Sequence, residues 1–299
     1  EMCGIFGIVA KNEVKQKELK WLAKCAKERG QDSSGIIYFD KVQYKVNKSN
    51  SDILNLLKKQ RKIPSNFILG HSRLITDGLE DNQPVVRDSF AVLHNGIIVN
   101  TDEIWGNINL DRNLKIDSEA ILGLTIDALK NKYKLEDLCN QILSKTKGTV
   151  SCALILPNYG KLLLLSNNGS LYKGEKNDTF YFASEKYPLS QLHCAKIVQV
   201  DEKGFFIDIP KADSIENPPK ISRKMNIIPS FKNIVKEESL LEFNQHNLVR
   251  CTKCVLPETM PFIEFDDNGV CNYCRNYKLR NIPKPKSQIF DLIEPYRNK

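Results

Sequence analysis

The chain has 299 residues, 41% of them apolar, a formal net charge of +8 and a mean hydropathy of −0.37. That exceeds one typical domain and suffices for a buried core. No apolar run approaches the ~18 residues of a membrane helix, and the short, glycine-broken start CGIFGIVA lacks the basic region of a secretory signal, so a cytoplasmic protein with no membrane partner is expected.

Taken in order, residues 3–10 predict a buried strand, and Val14 to Arg29 a helix with Leu19, Trp21, Leu22, Cys25 and Ala26 on a broad apolar face. GIIYFD and VQYKV predict paired strands around Lys41, and SDILNLLKKQ a short helix capped by Ser51 or Asp52. FILGHSRLI and FAVLHNGIIV are apolar strands with polar, glycine-bearing ends. Asp117 or Ser118 caps a helix to about Lys130, and another runs from about Lys134 to Ser144. TVSCALILP, KLLLLSN, SLYKG, TFYFAS, AKIVQVD and GFFIDI predict six further short strands. Strands, then helices, then strands indicate an α+β layered sandwich ending near Pro210. Residues 211–248, with Pro218, Pro219 and Pro229, predict a connector. A cysteine module at 249–278 and a basic tail at 279–299 follow.

Cys3 stands at the head of the first strand. Taken alone it fits a small buried residue. As a first residue, however, its α-amine (pKa ~7.7–8.0) is a base for its own thiol. Four polar clusters follow at element ends: RGQDSSG (29–35), GHSR (70–73), HNG (94–96) and DSE (117–119). Singly they are ordinary: an ion-paired arginine, a turn, an N-cap. Together they supply what hydrolysis of an amino-acid amide needs. Arg73 can hold an α-carboxylate and Asp117 an α-ammonium. The Asn95 amide and the Gly96 N–H can face an oxyanion, and the turn from Gly30 to Gly35 can line the substrate.

These pieces resemble a class II glutamine amidotransferase domain, of the N-terminal-nucleophile (Ntn) hydrolases. The resemblance rests on Cys3-Gly4-Ile5-Phe6-Gly7, Arg29 to Gly35, Gly70-His71-Ser72-Arg73, Asn82-Gln83-Pro84, His94-Asn95-Gly96, Asp117-Ser118-Glu119, Leu171-Tyr172 and Phe182-Ala183-Ser184-Glu185, in family order over about residues 3–210. It implies a four-layer αββα sandwich over 1–210 and L-glutamine as substrate. It further implies a γ-glutamyl thioester on Cys3 and ammonia handed to a second domain. By position it makes Asn95 and Gly96 the oxyanion hole, Arg73 and Asp117 the glutamine clamps and Gly30 a pocket wall. His71 and His94 carry no such role and are expected to be structural.

The nine cysteines, an odd number, do not form a secreted disulfide framework. Cys251-x₂-Cys254 and Cys271-x₂-Cys274, 16 residues apart, have the spacing of a structural Zn²⁺ ribbon; disulfides and an iron–sulfur cluster are the alternatives. FIEFDDNGVC predicts a strand and an Asp-Asn-Gly turn. Lys253, Arg275 and Lys278 can offset the charge of a four-thiolate zinc. The 27 residues from Cys251 to Tyr277 resemble the segment opening N-acetyl sugar amidotransferases of surface-polysaccharide biosynthesis, which implies a PP-loop, ATP-Mg-dependent synthetase domain as partner. The sequence has no phosphate-binding glycine loop of its own, and a longer protein is expected.

Two other enzyme readings, asparagine-synthetase-like and amidophosphoribosyltransferase-like, share the glutaminase motifs; the zinc module argues against both. A reading of another class is a nucleic-acid-binding zinc protein on an inactive hydrolase scaffold. Its support is the tail, where Arg275 to Lys299 hold seven Lys and Arg against two acidic residues, and the aromatics Phe262, Phe265, Tyr273 and Tyr277. A miniature core is the preferred reading of those aromatics, so no nucleic-acid partner is expected; a homodimer is left open. Glu1 and Met2 precede Cys3. While they remain, its α-amine is an amide, and little glutaminase activity is expected.

Overall fold

In the computed structural model, residues 3–60, 62–74, 82–217, 248–278 and 285–297 are described. The chain divides into two units, Glu1–Pro229 and Ser230–Lys299. Glu1, Met2, most of the connector and part of the basic tail lie outside the described residues.

The first unit opens with β1 (Gly4–Ala10), α1 (Gln16–Lys27), β2 (Ser33–Phe39), β3 (Tyr44–Ser49), α2 (Ile53–Lys59) and β4 (Phe67–Arg73). Then come β5 (Val85–Arg87), β6 (Phe90–Ile98), α3 (Thr101–Asn107), α4 (Glu119–Lys130) and α5 (Leu138–Leu143). It ends with β7 (Gly148–Leu156), β8 (Lys161–Ser166), β9 (Tyr172–Lys176), β10 (Thr179–Ala183), α6 (Lys186–Gln191), β11 (Ala195–Gln199), β12 (Phe205–Asp208) and β13 (Ile215–Glu216). One sheet has eight strands in the order β11-β9-β10-β1-β4-β2-β3-β13, and the other five in the order β12-β8-β7-β6-β5.

Three hydrophobic layers show how these sheets stack. Phe6, Ile8, Ile36, Ile68 and Tyr181 meet Leu19, Leu22, Ala23 of α1, Ile53, Leu56 of α2 and Leu189 of α6. Ile5, Ile37, Leu69 and Phe182 of the larger sheet meet Leu93, Ala153, Ile155 and Leu164 of the smaller. Val92, Cys152, Leu154, Leu163 and Leu165 meet Ile121, Leu122, Leu124 of α4 and Leu138, Ile142 of α5. The result is the expected four-layer αββα sandwich. Successive residues of a strand point to opposite faces, so β7 and β8, covered on both faces, read as unbroken apolar runs rather than alternating ones.

Several details differ from the sequence expectations. Helix α6, which is not among the expected elements, carries Pro188. It lies in the first turn, where an N–H has no intrahelical partner to lose. The sheet also continues past Pro210: Ile215 and Glu216 pair in parallel with Tyr44 and Lys45 of β3, so the start of the expected connector is a sheet edge. Asp52 caps α2 through bonds from the N–H groups of Leu54 and Asn55. Ser118 stands at the N-cap of α4 with no side-chain cap bond.

In the second unit, described at 248–278 and 285–297, the expected ribbon strand is reduced to two isolated bridges, Arg250 with Pro257 and Phe265 with Cys271. A short helix α7 (Asn272–Asn276) follows, and later α8 (Ser287–Ile293). No helix among the described residues is long and apolar enough to cross a membrane.

Leu154 lies fully buried between β7 and the α4–α5 layer. Leu154→Ala is expected to cost about 2–5 kcal/mol, read as a lower urea midpoint with an unchanged m-value.

Candidate active site

Four strand ends and one helix start meet at one end of the sandwich. Gly4 pairs with Ser72 and Ser72 with Ser34, which sets Cys3 beside Arg73 at the sheet's end. The thiol of Cys3 donates to the Leu74 carbonyl at 3.4 Å. The Cys3 carbonyl accepts from Arg29 Nε at 3.1 Å, and Arg29 also pairs with Glu185. Gly30 packs against the next stretch of backbone. A Cβ there would stand 2.4 Å from the Arg73 carbonyl carbon and from Leu74 N, and Asp32 N–H donates to the Arg73 carbonyl at 3.0 Å. The RGQDSSG turn is thereby tied to the strand that carries Arg73.

The facing sheet supplies β6, whose neighbour β5 stops at Val92. Toward β7 the odd-numbered residues of β6 use their backbone groups. Val150 of β7 turns its own N–H and C=O to Asn167 instead, so its partner Gly96 points away from the ladder. On that outer edge His94 N–H donates to Gln83 Oε1 at 2.6 Å and Ile98 N–H to Asp117 Oδ2 at 2.9 Å. Between them the Gly96 N–H has no partner among the described residues. A Cβ on Gly96 would lie 2.0 Å from the Thr149 carbonyl oxygen, so only glycine lets the strand run this close to β7.

Gln83 is the bridge that sequence reasoning left without a role. Its Nε2 donates to the His94 carbonyl at 3.0 Å and to Ser118 Oγ at 3.2 Å. The His94 carbonyl also takes His71 Nε2 at 3.2 Å, which joins the two sheets. Asn82 holds this bridge through bonds to the carbonyls of Ser34 and Ser49. Its only local signal is the Asn82-Gln83-Pro84 string.

Both histidines are fully enclosed, and burial pushes both below their usual range, His71 to about 3. They are therefore neutral. His94 Nε2 faces the Thr149 carbonyl at 3.2 Å, which only accepts, so this nitrogen carries the proton. Nδ1 is then the acceptor and takes the Ser118 hydroxyl hydrogen at 3.1 Å. That leaves Asp117 Oδ1, 3.2 Å from the same hydroxyl, without that hydrogen and open to a cationic ligand. Asp117 and Ser118, expected as helix caps, are thus turned toward β6.

Burial raises the Cys3 thiol above its ordinary value; the Arg73 guanidinium pulls it down and the Asp117 carboxylate pushes it up. The thiol therefore senses a fixed cation and a fixed anion at once. Asn95 is fully buried; one end of its amide lies 3.3 Å from Ser170 Oγ, and the other end has no partner among the described residues.

In the second unit the four sulfurs of Cys251, Cys254, Cys271 and Cys274 lie within 4.8 Å of one another. Cys251 and Cys274 are 3.9 Å apart, Cys254 and Cys271 3.6 Å. A tetrahedral ion with bonds of about 2.3 Å to sulfur spaces its ligands by roughly 3.8 Å, so the donor set fits. Backbone N–H groups of Lys253, Cys254 and Cys271 point at Cys251 Sγ, and that of Cys274 at Cys271 Sγ. Such donors suit thiolates. Arg275, expected to offset their charge, pairs with Asp266 instead. The aromatics do not form the expected small core: Phe262 is 91% exposed, Tyr277 69% and Tyr273 42%. Cys251 and Cys271 are buried in their place, because so short a segment closes around its sulfurs rather than around rings.

The buried histidines give the fold a pH signature. An unfolded histidine binds a proton below about pH 6.5, and these two resist it when folded. Their contribution is complete above that pH and is lost as pH falls, at up to about 1.4 kcal/mol per pH unit for each. Urea midpoints are expected to fall between pH 6.5 and 5; constant midpoints would show that the histidines are not held neutral.

The family described as "Glutamine amidotransferase domain" matches residues 71–191. The glutamine–fructose-6-phosphate aminotransferase (isomerizing) of Bradyrhizobium diazoefficiens is 29% identical over 200 residues, 64% of this chain and 33% of that protein. The one of Chlamydia pneumoniae is 30% identical over 195 residues, 62% of this chain and 32% of that protein. The chain thus spans about a third of the length of these curated relatives. The solved glutamine phosphoribosylpyrophosphate amidotransferase of B. subtilis, complexed with ADP and GMP, shares the fold at a TM-score of 0.56 and 23% identity, over 69% of this chain and 49% of that one. With its αββα layers and its cysteine-headed first strand, the chain carries a class II glutamine amidotransferase domain of the Ntn-hydrolase fold.

Proposed function

We propose that this domain hydrolyses L-glutamine to glutamate and ammonia, with Cys3 as nucleophile. The observation that carries the reading is the half-buried Cys3 thiol at the sheet end beside Arg73, which feels the opposite charges of Arg73 and Asp117; these complement the α-carboxylate and α-ammonium of an amino acid. The raised thiol needs a base. His71, pushed to about 3, is too weak at neutral pH, and both ring nitrogens of His94 are engaged. The α-amine of Cys3 fills the role once it is free. It takes the thiol proton while sulfur bonds the side-chain carbonyl carbon. The Gly96 N–H and the Asn95 amide stabilise the resulting oxyanion. The C–N bond then breaks, the proton leaves on ammonia, and water cleaves the thioester to glutamate and free thiol. Gly30 contributes by closing the pocket against the Arg73 backbone.

We further propose that the ammonia serves an ATP-dependent synthetase domain that amidates an N-acetyl sugar for surface polysaccharide. The string around Cys251–Cys274 supports this, and the relatives' own names include a sugar phosphate. The four cysteines are proposed to hold a structural Zn²⁺ with no open position, in a reducing, cytoplasmic setting.

With Cys3 exposed at the amino terminus, the chain is expected to release glutamate from glutamine, and Cys3→Ala to reduce release to the blank. Arg73→Gln and Asp117→Asn are each expected to raise KM about 10–100-fold, the range of a lost charge-assisted bond. Chain that retains Glu1 and Met2 is expected to be nearly silent. Absence of release by the trimmed chain would defeat the proposal.

Metal analysis of purified chain is expected to give one zinc per chain, lost in Cys271→Ser. Cobalt replacement should produce the thiolate-to-metal bands of a tetrahedral four-sulfur site; iron with acid-labile sulfide would refute zinc.

A further inference from the structure

The turn between β8 and β9 is built with unusual care for a surface connection. Asn168 Oδ1 accepts from Ser151 Oγ at 2.6 Å, Ser166 Oγ at 3.2 Å and the N–H of Ser170 at 3.0 Å. Gly169 N–H donates to Ser166 Oγ at 3.0 Å, and the Gly169 carbonyl accepts from Gln199 Nε2 at 2.7 Å. The adjacent Asn167 is clamped to Val150 and Gly148 of β7. The outcome is a fixed backbone position for Ser170, whose hydroxyl lies 3.3 Å from the Asn95 amide.

Asn95 is fully buried, and one end of its amide has no partner among the described residues. The two ends are nearly identical in shape, so the surrounding hydrogen bonds decide which is oxygen and which nitrogen. An oxyanion needs donors. The amide can turn its NH₂ to the unpartnered side only if its oxygen faces Ser170 and accepts the hydroxyl hydrogen. The opposite setting, with NH₂ on Ser170, would put a bare carbonyl oxygen against developing negative charge.

We propose that Ser170 is a positioning residue that sets the Asn95 amide for oxyanion stabilisation, by donating its hydroxyl hydrogen to Asn95 Oδ1. This rests on the glutaminase reading above. Asn168, Ser151 and Ser166 hold Ser170 in place, so the orientation of a catalytic amide on β6 is dictated from β7 and the β8–β9 turn. The contact acts on the transition state rather than on the substrate's charged ends.

The experiment compares Ser170→Ala, Ser170→Thr, Asn95→Ala and the Ser170→Ala/Asn95→Ala pair, in the full chain trimmed to Cys3, by steady-state glutamate release. Ser170→Ala is expected to lower kcat about 10-fold, less than the ~10²–10³-fold loss for a missing oxyanion donor, with KM within 2-fold. Ser170→Thr keeps the hydroxyl and should restore most of kcat. With Asn95 already alanine, Ser170→Ala should have no further effect, whereas a general structural role would add to the loss. An unchanged kcat, a change confined to KM, failure of threonine to rescue, or an additive pair would each overturn the proposal. No release by the parent chain would instead remove the glutaminase reading and this inference with it.

Discussion

An unfinished sheet edge inside the protein governs the arrangement of this site. Beyond Val92 strand β6 has no β5 beside it, yet His94 and Asn95 are buried. A buried backbone N–H or carbonyl without a partner costs about 1–3 kcal/mol, so something must stand in for the missing strand. Gln83 does so at His94 and Asp117 at Ile98, and the Gly96 donor between them is left over. The substitutes bring other groups with them. Gln83 draws in Ser118, the His94 carbonyl draws in His71, and His71 lies next but one to Arg73 on β4. The pairing rule of a β-sheet, interrupted once, thereby assembles chemistry from both sheets.

Much of this was legible in the sequence, for physical reasons that differ by element. The central strands β1, β4, β6, β7 and β8 announced themselves as apolar runs because the stacked layers cover most of both their faces, whereas the edge strand β11 stays exposed. The polar endings GHSR and HNG stood out against those runs, and Cys3, Arg73, Asn95, Gly96 and Asp117 could be chosen by the charge and donor type an amino-acid amide requires. Gln83 and Ser170 could not be chosen so. Their partners are 11 and 75 residues away, and saturating a distant backbone group or steering a distant amide leaves no periodicity. Helix α3 was missed because it buries little beyond Ile104; β13 is too short to show a pattern.

The cysteine module illustrates a different balance. A segment this small cannot exclude water from its aromatic rings, and most of them stay exposed. Its order comes from two tight turns whose N–H groups converge on sulfur. Such a centre is held by directed bonds rather than by area, which explains why the spacing of four residues was more informative than everything between them.

The enclosure of the two histidines has one more consequence. Imidazoles are the side chains that ordinarily change charge near neutrality, and here both are removed from that range by burial. The pocket's own field is therefore constant where a cell's pH varies. On the proposed mechanism, a bend in a neutral-range rate profile then belongs to the freed α-amine of Cys3, since burial holds the thiol higher and neither imidazole titrates there.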